Sequence, residues 1–418
     1  MKGINVGILL GWFVLGGGCS TLAPEKQIGK PIEVDYSVRE HSFERSIGHI
    51  LSAPLVEGNN VVELLNGDQI FSAMLAAIRK AEKSITLETF IWSSGKVSDS
   101  FIEAMTERAR AGVKVHVLVD ATGSSRLSRA DRARLREAGV ELADYNPFHL
   151  FRPFGINHRT HRKLMVVDGR TGFAGGVCLS DDWSGNAEPG HWRDTHFIIE
   201  GPVVAQIQGV FMENWLQARS EVLHGEDYFP QLGTLGSMRA QFFRSGPRDA
   251  AEHARLSYLL AIGAARTNIR LAHVYFAPSA VVLDALLQAR ERGVEVEVIV
   301  PGKVDNYVVD KASRSRWGKL LKAGVQFYEY QPTLFHCKIM VVDDVWVTAG
   351  SVNFDERSFR VNDEANLNVL SPELASKLIE SFEVDKARSR HLTEKNFKRR
   401  NWLGRGFEQF FGLFRSQL

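Results

Sequence analysis

The chain is poor in cysteine and nearly balanced in charge. Three cysteines among 418 residues cannot build a disulfide scaffold. A formal net charge of +2, from 51 basic and 49 acidic residues, gives no global field that would recruit nucleic acid, so any affinity for anions is local. No His/Cys/Asp/Glu group has metal-ligand spacing, so neither a metal nor another cofactor is implied. Compositional bias is also missing. With 44% hydrophobic and 24% charged residues the chain describes an ordinary folded core, and its length suits two or three domains.

A long uncharged run opens the chain. Lys2 precedes an apolar stretch over 4–15, and Gly16-Gly17-Gly18-Cys19-Ser20 supplies small residues before a cysteine. Residues 1–19 read as a secretory signal. Because the small residues end at Cys19, they resemble a bacterial lipoprotein signal, in which that cysteine is lipidated. A signal anchor stays open, since no charge occurs over 3–24. Both readings place the chain at a membrane of the cell envelope. Residues 20–60, with Pro24, Pro31, Pro54 and Asn59-Asn60, read as a tether with little structure of its own.

Beyond the tether, apolar spacing predicts a helix over 69–83, a strand over 84–92, a helix over 98–111 capped by Ser98 and stopped by Gly112, a strand over 113–119 and a helix over 128–138. The order then recurs. Helix 251–265, strand 268–276, helix 279–292 with Gly293 as its stop, strand 294–300 and helix 306–323 replay it, and each half closes with a strand and a long helix (195–200 with 203–220, 364–369 with 373–389). Two similar α/β domains are expected, over 61–235 and 236–392, with a seam near 222–237.

One motif lies in both halves in the same register. His161-Arg-Lys163-Leu-Met-Val-Val-Asp168 and His336-Cys-Lys338-Ile-Met-Val-Val-Asp343 each hold Lys two and Asp seven residues after His, and each is followed fourteen residues after its His by Gly175-Gly176 or Gly350-Ser351. The β-branched apolar runs read as buried strands, and side chains at i and i+2 leave one face, so each imidazole lies beside its ammonium. Asp168-Gly169 and Asp343-Asp344 are turn chemistry, so these aspartates pin turns more than they touch substrate. Two imidazoles and two lysines brought together around one small anion would make a phosphate site with a nucleophile and an acid.

This duplicated pattern resembles the phospholipase D superfamily, and most of all its bacterial cardiolipin synthase branch; Asn157-His-Arg-Thr-His161 and Gly350-Ser351-Val-Asn353-Phe-Asp355 add to the likeness. The resemblance implies two αβα domains related by a pseudo-two-fold axis with the active site between them. It implies a catalytic set of His161, Lys163, Asp168, His336, Lys338 and Asp343, with His161 as nucleophile and His336 as acid/base, a phosphohistidine intermediate, and phosphatidylglycerol as acceptor, with phosphatidylglycerol or phosphatidylethanolamine as donor. Ser351 and Asn353 could bond phosphate or the groups behind it, and Asp194 and Glu364 could orient the imidazoles. Cys178 departs from the pattern, standing where Asn is usual. A Cys178–Cys337 disulfide is disfavoured, because Cys337 points away from the face shared by His336 and Lys338.

Rival readings keep the same residues: a phospholipase D that uses water, a superfamily nuclease, or a non-catalytic lipid-binding scaffold. The segment 145–155 is an aromatic, proline-rich stretch that lines an acyl entrance or packs as a loop. Lys311, Arg314, Arg316, Lys319 and Lys322 read as a solvated helix face, with lipid headgroup contact as the alternative. The tail over 393–418 carries Phe407, Phe410, Phe411 and Phe414 beside basic residues, an amphipathic stripe for a membrane surface or for docking on the second domain. The oligomeric state is not legible.

Overall fold

The computed structural model describes residues 28–148, 157–247, 250–304 and 307–399. The expected signal with Cys19, most of the segment 145–155 and the aromatic stripe of the tail lie outside these residues. Among the described residues no helix is long and apolar enough to cross a membrane.

Each half of the chain lays down the same seven strands. In the first they are β1 (Val56–Leu65), β2 (Ser84–Thr89), β3 (Lys114–Asp120), β4 (Glu141–Tyr145), β5 (Leu164–Val167), β6 (Thr171–Gly175) and β7 (Thr195–Glu200). In the second they are β8 (Met238–Ser245), β9 (Asn268–His273), β10 (Glu295–Pro301), β11 (Gln326–Tyr330), β12 (Lys338–Val342), β13 (Trp346–Gly350) and β14 (Glu364–Leu370), with β15 (Ser389–Leu392) added at the edge. Read outward from the centre, the order is β1-β7-β6-β5-β2-β3-β4 on one side and β8-β14-β13-β12-β9-β10-β11-β15 on the other. The halves meet where β1 pairs antiparallel with β8, with Val56 opposite Ala240 and Asn59 opposite Met238, so one fifteen-stranded sheet runs through both. The segment 222–237 carries no helix or strand and links the halves.

Packing joins them too. One apolar cluster serves the first half alone (Phe101, Met165, Trp183), one serves mainly the second (Leu271, Trp346, Phe354), and a third is shared, with Phe197, Phe211 and Trp215 against Phe242, Leu367 and Phe382. Burying this shared apolar surface favours one body over two independent domains.

Two expectations are corrected here. Within the stretch expected as a tether, the described residues 28–60 are structured: α1 (His41–Ile50) buries Phe43 and Ile47, and the Phe43 ring stands edge-on to Trp346 with centroids 4.8 Å apart. Phe43, Ile47 and Leu51 carry helical spacing between Pro31 and Pro54, a signal that the flanking prolines obscure. The helix expected from Ser98 instead spans Lys96–Arg110. The carboxylate of Asp181 accepts the N–H groups of Lys96 (3.1 Å) and Val97 (2.8 Å), so capping comes from another element, and Ser98 lies buried, its hydroxyl accepting from Trp92 Nε1 at 2.7 Å. Elsewhere local signals hold: Ser128 and Ser279 cap their helices, and Gly112 and Gly293 adopt φ of +92° and +87°, a conformation that glycine takes without strain.

Candidate active site

Backbone exchange between the halves builds the site. The chain entering β5 pairs in parallel with the chain entering β14 (Thr160 beside Asp363), and the chain entering β12 pairs with the one entering β7 (Phe335 beside Arg193). His161 N donates to Asp363 O at 2.8 Å, and His336 N donates to Arg193 O at 2.8 Å. Each histidine is therefore held against the residue that precedes the other half's acidic group.

The side chains complete the exchange. His161 Nδ1 lies 2.9 Å from both carboxylate oxygens of Glu364, and His336 Nδ1 lies 2.7 Å from Asp194 Oδ2. A carboxylate on Nδ1 fixes the tautomer, so in each ring Nε2 is the nitrogen left for chemistry. Behind the carboxylates stands a second layer: Ser351 Oγ (2.5 Å) and Asn362 Nδ2 (3.3 Å) both donate to Glu364, while Trp183 Nε1 donates to Asp194 at 2.9 Å. The two halves differ here for a steric reason. A side chain on Gly176, the counterpart of Ser351, would collide with the Asp194 carboxylate.

Both lysines lie beside their histidines, as the i, i+2 spacing requires. Lys163 Nζ donates to His161 O at 2.5 Å, and Lys338 Nζ donates to His336 O at 2.7 Å and lies 3.3 Å from His336 Nε2. The motifs converge electrostatically: Lys338 acts on His161, and Lys163 acts on His336 and on Lys338. Burial lowers the pKa of both imidazoles to about 4; Lys163 adds to this at His161, and Lys338 at His336. The carboxyls are lowered as well, but against the effect of burial. Burial favours protonation of Glu364 and Asp194, yet the adjoining imidazole and lysine charges and hydrogen-bond donors outweigh it and hold both below the usual range. The resting site thus pairs neutral imidazole with ionised carboxylate, and an incoming phosphate anion would restore the proton affinity of one ring. Burial also lowers Lys338, to about 8.

Asp168 and Asp343 do not belong to this cluster. They stand at the far ends of β5 and β12 with φ of 53° and 52°, and their carboxylates collect backbone N–H groups: Glu82, Lys83 and Ser84 on Asp168, and Arg266, Thr267 and Asn268 on Asp343. The motif's aspartates pin the sheet, as their turn chemistry indicated, and the catalytic set is corrected to exclude them. Asn353 is buried with Oδ1 lacking a hydrogen-bond partner among the described residues, so its carboxamide can meet a ligand, whereas Ser351 is engaged with Glu364. Cys178, in the place of the usual Asn, is buried near Lys338; Cys178 and Cys337 are both free thiols. Cys337 faces the shared core, and burial pushes its thiol up to about 12.

Sequence reasoning missed the aromatic walls. Trp183 and Trp192 pack on His336 with ring centroids 5.3 Å away, and Phe90 stands 5.0 Å from His161. Trp192 was legible only as the neighbour of Arg193-Asp194, and Phe90 only as part of a strand. The basic helix is only in part a solvated face: Arg314 bonds Asp310 and Glu329, both at 2.8 Å, and Arg316 donates to Pro278 O at 2.6 Å, so these charges hold the fold.

Known proteins resemble this chain over most of its length. A family model described as "Cardiolipin synthase, PLD-like domain" matches residues 74–215 and again 258–386. A probable cardiolipin synthase of Bacillus subtilis is 35% identical over 363 residues, covering 86% of this chain and 72% of its own length. Cardiolipin synthase A of Pseudomonas syringae is 36% identical over 345 residues, 82% of this chain and 71% of its own. Among solved structures, the phosphatidylserine synthase of Haemophilus influenzae shares the fold, with a TM-score of 0.70 over 90% of this chain and 100% of that one, at 14% identity.

Proposed function

The chain belongs to the cardiolipin synthase family of phospholipase D-like enzymes, and from that premise we propose that it transfers a phosphatidyl group to phosphatidylglycerol through a histidine-bound intermediate. The observation that carries this reading is the reciprocal exchange, in which each half's carboxylate fixes the other half's imidazole beside two lysines.

In the proposed sequence His161 Nε2 attacks the donor phosphorus. The bond to the headgroup oxygen breaks, and that oxygen takes a proton from the His336 imidazolium. Lys163, Lys338 and Asn353 hold the non-bridging oxygens, where charge gathers as phosphorus becomes five-coordinate. The acceptor hydroxyl then passes its proton to His336, its oxygen bonds phosphorus, and the N–P bond breaks. With phosphatidylglycerol as both donor and acceptor the products are cardiolipin and glycerol.

Purified protein given labelled phosphatidylglycerol should form cardiolipin, and His161→Ala and His336→Ala should each abolish it. Phosphatidic acid as the only product, with acceptor in excess, would replace transfer by hydrolysis. We further propose that lipidation of Cys19 holds the enzyme at the bacterial envelope; a mature chain whose N-terminus carries no diacylglycerol by mass spectrometry would refute this.

A further inference from the structure

The chemistry of the two halves is symmetric, but their rims are not. Two residues before His161 stands Arg159; two residues before His336 stands Leu334, which is buried. In an extended chain residues two apart share a face and lie about 6.6 Å apart, so Arg159 is on the His161 side of its segment. A second arginine comes from the other half. Arg357 donates through Nη1 to Asn157 Oδ1 (3.1 Å) and through Nη2 to Asn157 O (2.7 Å), which lays its guanidinium over the segment leading to His161. Its counterpart in the first half, counted from the paired glycines, is Asp182. One rim is cationic; the other is built from Leu334, Trp183 and Trp192.

The two guanidiniums are not neutralised one by one. Arg357 makes these hydrogen bonds to uncharged oxygens. Arg159 reaches Asp120 only at 3.8 Å, and that carboxylate is already engaged by the N–H groups of Thr122, Gly123 and Thr160. Burial and the neighbouring Arg159 both weaken Arg357's hold on its proton, while Asp355, Glu364 and Asp120 offset part of this. Two half-buried cations held side by side are stabilised by an anion placed between them.

A phosphatidylglycerol acceptor brings such an anion. Its own phosphodiester is separated from the reacting hydroxyl by one glycerol, a span comparable with the two-residue spacing from His161 to Arg159. Resting on the transfer reading above, we propose that Arg159 and Arg357 form a second phosphate subsite, which binds the phosphodiester of the acceptor lipid while the histidine pair handles the donor phosphorus. The subsite selects an anionic lipid alcohol over a neutral alcohol.

The test is a competition. The full chain is supplied with labelled phosphatidylglycerol in mixed micelles containing ethanol, and labelled cardiolipin and phosphatidylethanol are measured together. In Arg159→Gln/Arg357→Gln the ratio of cardiolipin to phosphatidylethanol should fall by about tenfold or more, the order expected when charge-assisted bonds to phosphate are lost. The KM for acceptor phosphatidylglycerol should rise more than kcat falls, and Arg159→Lys/Arg357→Lys should recover part of the ratio. A ratio within about twofold of the parent, or equal loss of both products, overturns the subsite. A parent protein that makes neither product overturns the transfer reading instead, and thermal melting of each variant separates both outcomes from misfolding.

Discussion

Glu364 of the second half holds His161 of the first through both carboxylate oxygens at 2.9 Å, across 203 residues of sequence. Because Asp194 of the first half holds His336 of the second, neither half contains both a motif histidine and the carboxylate that holds it. A half expressed alone would present an imidazole with no carboxylate on Nδ1, and on the transfer mechanism proposed above it should be inactive.

Neutralising that contact should impair chemistry more than binding. In Glu364→Gln the amide can still meet Nδ1 but no longer stabilises a charged ring, so kcat should fall by about 10- to 100-fold with little change in KM. Steady-state kinetics at pH 7 on protein of unchanged melting temperature checks this. An unaltered kcat would remove Glu364 from the mechanism.

Activity should carry an alkaline limb set by Lys338. Its pKa is lowered to about 8 by burial, so its charge is present below that pH and lost as pH rises through it. With the charge gone, one of the groups that neutralise the phosphate oxygens is missing, and kcat/KM should decline above about pH 8. Lys338→Arg retains its charge far higher and should abolish the limb even where it lowers the plateau. A pH–rate profile of both proteins decides it.

The motif aspartates should matter for stability and not for turnover. Asp168 and Asp343 gather backbone N–H groups at the starts of β2 and β9, and Asn offers one acceptor oxygen in place of two. Asp168→Asn and Asp343→Asn should each cost about 1 to 3 kcal/mol in urea unfolding, with kcat per folded molecule near the parent value. A large fall in kcat without loss of stability would return them to the catalytic set.

The segment before β1 should behave as part of the second half's core. Phe43 is fully buried against Trp346, so Phe43→Ala should destabilise by about 3 to 5 kcal/mol. Chemical denaturation measures it directly, and a tether would show no change.

What the sequence determined by itself is local. Two copies of one spacing placed His161 with Lys163 and His336 with Lys338, because a strand's two-residue period depends only on neighbouring backbone units. The same short range marked Asp168 and Asp343 as turn formers and Gly112 and Gly293 as helix stops. The order of helices and strands followed, and with it two similar halves. Tertiary structure alone decided which carboxylate serves which histidine, that Asp181 and not Ser98 caps a helix, that α1 docks on the second half, and that Trp183 and Trp192 enclose His336. Each of these joins residues through the closing of one sheet or the burial of a shared apolar face. The free energy of such contacts depends on what faces a residue across the fold, which no window of adjacent residues contains.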